Sequence, residues 1–120
     1  MKFAMLIHEP ASEFAKRQGP EAGAYWAGWM AYSEALRTSG AMVGGAGLEP
    51  PDAATTLRLA DGKRQIHDGP FADSKEQLGG FYLLDVPSLD VALDWAARCP
   101  GAPTGSIEIR PLLPPPPQAT

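Results

Sequence analysis

The sequence predicts one small α+β domain: an antiparallel sheet with two helices on one face and a β-hairpin inserted in the chain. Three observations carry that reading. The chain has 120 residues and is 44% hydrophobic, which is enough to enclose one core without metal or disulfide support. Apolar residues recur with a period of two in some segments and at helical spacing in others, alternating along the chain. An Asp61-Gly62 pair lies between two short alternating runs, the pattern of a hairpin closed by a primed turn.

Taken in order, Lys2 to His8 reads as a strand with Phe3, Met5 and Ile7 on one face and Ala4 and Leu6 on the other, so both faces need cover. Glu9 to Gly19 is polar and broken by Pro10 and Gly19. It reads as a loop with room for a turn of helix, long enough for a lid or rim. Pro20 suits a first helical position, Glu21 complements the positive end of the helix dipole, and Gly40 suits the left-handed residue that ends a helix. The expected buried stripe is Tyr25, Trp29, Tyr32 and Leu36, widened by Ala22, Trp26 and Met30. Aromatics in that row read as core packing in preference to a stacking platform. The Gly44-Gly45-Ala46-Gly47 run lacks a P-loop lysine and the dinucleotide-binding glycine spacing; it reads as a bulged strand connection.

The hairpin follows, with Ala54 to Ala60 out and Lys63 to Asp68 back. After a polar, turn-rich stretch from Asp68 to Gln77, a further strand runs from Gly79 to Val86. Ser88 is a good N-cap for a second helix with Leu89, Ala92, Leu93 and Ala96 inward, stopped by Pro100-Gly101. Ser106 to Arg110 is the last strand, and a tail with four consecutive prolines ends the chain. The order of elements resembles a ferredoxin-like sandwich with an inserted hairpin. Two helices cover one face of such a sheet, and a second copy of the chain is the simplest cover for the other, so a homodimer is expected.

A net charge of −4 and a pI of about 5.0 disfavour nucleic acid as a partner, because the field repels polyphosphate. The apolar run before Glu9 is too short for a membrane span or signal-peptide core, so a cytoplasmic protein is expected. A lone cysteine, Cys99, excludes an internal disulfide and reads as a small buried apolar group. No metal and no cofactor are expected, since neither histidine has ligand spacing to further donors.

The run His67-Asp68-Gly69-Pro70-Phe71-Ala72-Asp73-Ser74-Lys75-Glu76-Gln77-Leu78-Gly79-Gly80-Phe81-Tyr82 resembles the signature of the YCII-related superfamily, in the branch named for its Asp-Gly-Pro-Phe motif. Asp73 stands where a glutamate is common and Ser74 where a threonine is common, both conservative. The resemblance implies a dimeric ferredoxin-like α+β barrel over residues 1–111, leaving 112–120 as a proline-rich tail. It carries no established activity for this branch. Related proteins are suspected enzymes with a histidine on the first helix and an aspartate in the cleft; here Trp29 occupies the histidine's place, so that mechanism does not carry over. Members of the branch are also often associated with extracytoplasmic-function sigma factors, which implies a regulatory alternative.

Among the residues themselves, His8, Asp68, Lys75 and Glu76 are the candidate acid–base groups. Asp68, Phe71, Lys75, Glu76, Tyr82 and Arg110 are the candidate contacts to a small organic ligand in a cleft. Asp68 is expected to hold the signature loop by accepting hydrogen bonds from backbone amides near Phe71. Arg110 and Glu108 would either grip a polar ligand or lock the loop through Lys75 and Glu76.

Overall fold

In the computed structural model, which describes residues 1–117, β1 (Lys2–Pro10) runs straight into a short helix α1 (Ala11–Ala15). The long helix α2 (Ala22–Ser39) then leads to β2 (Met42–Gly47) and a single 3-10 turn. The hairpin is β3 (Thr55–Ala60) and β4 (Lys63–Asp68); β5 (Glu76–Asp85), α3 (Leu89–Ala97) and β6 (Ser106–Pro111) complete the chain. The expected tail continues into residues 118–120, which lie outside the described residues.

The main sheet has four strands in the order β2-β5-β1-β6, and β3-β4 form a separate two-stranded ribbon. With β1 antiparallel to both β5 and β6 and the ribbon set aside, this is the ferredoxin-like order of a split βαβ pair. The period of two in β1 decides the layers. Phe3, Met5 and Ile7 are buried under the helices together with Leu84, Tyr82, Leu36 and Ala92. Ala4, Leu6 and His8 lie on the open face beside Phe81, Leu83 and Glu108.

Local capping fixes the helix ends. Gly40 terminates α2 in the left-handed conformation at φ 81°, and the Ser88 hydroxyl accepts the Val91 amide at the start of α3. The rotation of the helices departs from the sequence pattern. Leu89 and Leu93 point to solvent, whereas Ala92 and Ala96 are buried with Val91 and Trp95 against the core. A tertiary contact accounts for this: the Tyr32 hydroxyl donates to the Trp95 carbonyl at 2.6 Å, tying α3 to α2 through backbone. In α2 only Tyr32 and Leu36 are fully buried, and Trp26 and Met30 are exposed. Among the described residues no helix is long and apolar enough to cross a membrane.

Burial raises the pKa of the cysteine and of three tyrosines in and beside this core. The Cys99 thiol is pushed up to about 11, and the phenols of Tyr25, Tyr32 and Tyr82 are all raised by the same cause. Below pH 9 the thiol is protonated whether the chain is folded or not; above it the unfolded chain ionises first and gains the advantage. Stability is therefore expected to be full below pH 9 and to fall as pH rises toward 11. Urea midpoints at pH 8, 9.5 and 10.5 measure it, and a flat profile would contradict the burial of these groups.

Candidate functional site

Glu9 continues the inward alternation of β1 by one more step, so a carboxylate occupies a position that the pattern gives to an apolar side chain. It is 2% exposed. A buried carboxylate needs a counter-charge and hydrogen bonds, and two segments supply them. From α2, the Tyr25 hydroxyl donates to both Glu9 oxygens, at 2.9 and 3.2 Å. From the turn after α1, the Arg17 guanidinium lies 3.6 Å from Glu9 Oε1.

Arg17 is itself fixed on all sides. It donates to the carbonyls of Leu48 and Gly79, and its guanidinium lies over the rings of Phe14 and Trp26, at 4.8 and 5.6 Å from their centroids. Trp26 Nε1 in turn donates to the Arg17 carbonyl. The Nε of Arg17 is buried without a partner among the described residues. Gly79 makes the arrangement possible, because a Cβ there would stand 2.7 Å from Glu9 Oε1 and 3.2 Å from Arg17 Nη2. The first glycine of the signature run's pair thus leaves room for an ion pair from elsewhere in the chain, while Gly80 faces the backbone of Ala46 and Gly47.

Above this group opens a cleft of about 690 Å³ between α2 and the strands β2 and β5. Its walls include Tyr25, Trp26, Trp29, Met30, Met42 and Tyr82, with Glu9 and Arg17 as charged groups and an exposed Glu34–Arg37 pair on α2. Tyr82 shares a hydrogen bond of 2.6 Å with Ser33. Burial lifts the Tyr25 phenol, with Arg17 opposing and Glu9 adding; burial lifts Tyr82 likewise, with Ser33 opposing. Both are protonated at neutral pH; Tyr25 donates to Glu9, and in the Tyr82–Ser33 pair either hydroxyl can donate. The half-burial of Tyr25 and Trp29, expected as core, follows from their lining this cleft.

Of the candidate acid–base and ligand-contact residues read from the sequence, Tyr82 alone lines the cleft. His8 lies on the open face, with Nε2 3.3 Å from Glu108. Arg110 pairs with Glu108, holding its carboxyl below the usual carboxylate range, so the expected lock onto Lys75 and Glu76 is not formed. Glu76 instead accepts the Ser106 hydroxyl at 2.6 Å, and Lys75 is exposed. Asp68 is exposed too, and its side chain makes no hydrogen bond among the described residues. The loop is held by other groups: the Gly69 amide donates to the Ala54 carbonyl at 2.7 Å, Thr56 Oγ1 to the Gly69 carbonyl at 2.8 Å, and Gln77 to the carbonyls of Ala72 and Ser74. Phe71 stands in solvent under Arg58. Among the described residues no cluster of three or more His, Cys, Asp or Glu is placed to hold a metal.

The YCII-related domain family matches residues 1–115, almost the whole chain. This chain belongs to the YCII-related family. An uncharacterised protein of Rhizobium meliloti (strain 1021) is 55% identical to this YCII-related chain over 67 residues, 54% of each sequence; the match thus spans about half the length of that relative. Among solved structures, the chain is similar to 5-chloro-2-hydroxyhydroquinone dehydrochlorinase of Burkholderia phenoliruptrix AC1100, in complex with 2,5-dihydroxybenzoquinone. The TM-score is 0.55 and the identity 17%, over 94% of both chains. At that identity the likeness establishes a shared ferredoxin-like α+β fold for the YCII-related domain.

Proposed function

We propose that this domain binds a small, planar, hydroxylated organic molecule in the cleft and moves a proton on it through Glu9. The observation that carries this reading is a buried carboxylate at a cleft whose walls are aromatic. Buried acid groups with specific partners in a cleft are typical of acid–base sites. In this reading the ring of the ligand lies among Tyr25, Trp26 and Trp29, and a ligand hydroxyl meets Glu9. Its O–H bond breaks as the proton passes to a carboxylate oxygen, the electron pair stays on the ligand oxygen, and the proton is returned to the product. Arg17 and the Tyr25 hydroxyl position the carboxylate, and the phenol of Tyr82 donates to developing negative charge. What the dehydrochlorinase holds, a dihydroxybenzoquinone, directs the choice of first probes.

Thermal-shift titration with hydroxyquinones, catechols and hydroxybenzoates is the test. Saturation at about a hundredfold excess over Kd is expected to stabilise the protein by about 2.7 kcal/mol, and Trp29→Ala to reduce the shift. No shift across the panel would sink the reading and return weight to the regulatory alternative with a sigma factor. The same reading takes the protein as a homodimer, supported by the apolar residues Leu6, Leu78, Phe81 and Leu83 on the open face of the sheet.

A further inference from the structure

The cleft is longer than a single ring. Its wall on α2 runs from Tyr25 to Arg37, about 18 Å of helix at the usual rise. The facing wall on β2 runs from Met42 to Gly47, about 17 Å of strand. Gly47 pairs with Gly80, next to the Gly79 that leaves room for Glu9 and Arg17. The buried acid therefore lies at one end of the cleft and Arg37 at the other. A volume of about 690 Å³ falls within the range that encloses drug-sized molecules, about 300 to 1,000 Å³, and one ring with its hydroxyls fills only part of it.

The two charged groups at the far end are not equally engaged. Both oxygens of Glu34 accept, one from Arg37 and one from Thr38. Arg37 gives Nη1 alone to Glu34. A guanidinium has five N–H groups, and the others of Arg37 meet no acceptor among the described residues. Its charge is felt at the cleft wall: burial lifts the Tyr82 phenol, and Arg37 joins Ser33 in opposing the rise. Ser33, bonded to Tyr82 at 2.6 Å, stands one turn before Arg37 on the same side of α2. A ring reaching from Glu9 towards Tyr82 thus leaves about 6 Å of cleft, four helical residues, before Arg37.

We propose that the ligand carries a carboxylate on a short side chain, and that Arg37 grips this group at the end of the cleft away from Glu9. This names the substrate class of the site proposed above and rests on that reading: a hydroxylated aromatic ring at the acid, a short chain beyond it, and an anion at the rim. The planar fork of Arg37 suits a carboxylate, which takes two parallel N–H bonds, while Glu34 holds the guanidinium at the rim in the free protein.

Isothermal titration calorimetry tests this with catechols ending in a carboxylate on chains of zero, one, two and four methylenes, each beside its neutral amide. The acid-to-amide ratio of affinities at equal chain length removes the apolar contribution of the chain. In the wild type the ratio is expected to be near one for the benzoate and to reach about fivefold in favour of the acid at two methylenes or more, the size of a charge pair at an exposed site. In Arg37→Gln it is expected to return to about one. Amides that bind while no acid gains over its amide would overturn the role of Arg37 and leave the reading of Glu9 standing. An advantage that survives in Arg37→Gln, or is already complete in the benzoate, would overturn it as well. No binding by acids, amides or plain catechol would overturn both.

Discussion

Replacing Glu9 with alanine is expected to cost about 3 to 5 kcal/mol of stability, the range for removing one partner of a buried ion pair. The reason lies in what remains. Arg17 is 13% exposed in its side chain and is held between Phe14 and Trp26, so its charge would stay in place without a counter-ion. The Tyr25 hydroxyl would lose its acceptor at the same time, adding the cost of an unpaired buried donor. Urea denaturation measures the loss, and Arg17→Leu in the Glu9→Leu background should recover part of it, a non-additivity that marks direct coupling. A cost under about 1 kcal/mol for Glu9→Ala, the size of an exposed pair, would show that water reaches the group. Glu9→Gln separates structure from chemistry: it keeps an acceptor for Tyr25 but not a proton-accepting carboxylate, so ligand binding should survive and turnover should not.

Gly105→Ala is expected to cost about 3 kcal/mol. A Cβ on Gly105 would stand 2.1 Å from the His8 carbonyl oxygen and 3.3 Å from that of Gly101, and both obstacles are backbone. His8 pairs with Ser106 in the β1–β6 ladder, so relief requires parting the strands where β6 begins. Overpacking usually costs about 1 to 3 kcal/mol, and a rigid obstacle belongs at the upper end. Gly28 is the contrast, since a Cβ there meets nothing within 4 Å and the residue lies within α2. Gly28→Ala should stabilise by about 0.5 to 1 kcal/mol. Equal melting temperatures for the two variants would contradict the close approach at Gly105.

The parts of the fold legible in the sequence are those fixed by neighbours in the chain. Gly40 ends its helix, Ser88 caps the next, and the Asp61-Gly62 turn carries positive φ at both residues; each signal acts over a few residues. The rotation of α3 was not legible, because Leu89 and Ala92 are both apolar and the choice between them is made by Tyr32, 63 residues from its acceptor Trp95. The site was least legible of all. Tyr25 lies 16 residues from Glu9, and Arg17 lies 62 from Gly79, so no local motif contains the group. The one available signal was Glu9 itself, an acid at the inward phase of an apolar strand. The signature run drew attention to Asp68, Lys75 and Glu76, whereas the residues by which it reaches the cleft include Gly79, Gly80 and Tyr82.

Arg17 binds the carbonyls of Leu48 and Gly79 while it pairs with Glu9, so the guanidinium is a rivet through three separate stretches of chain as well as a part of the cleft. Such double duty limits how the protein can diversify. A lineage that altered Glu9 to suit different chemistry would have to rebuild the seat of Arg17 in the same step, crossing a less stable intermediate. Trp26, Met30 and the Glu34–Arg37 pair line the same cleft yet remain exposed and tie down far less of the fold. Substitutions that suit new ligands therefore cost least at that rim, whereas any change at the floor disturbs the fold as well.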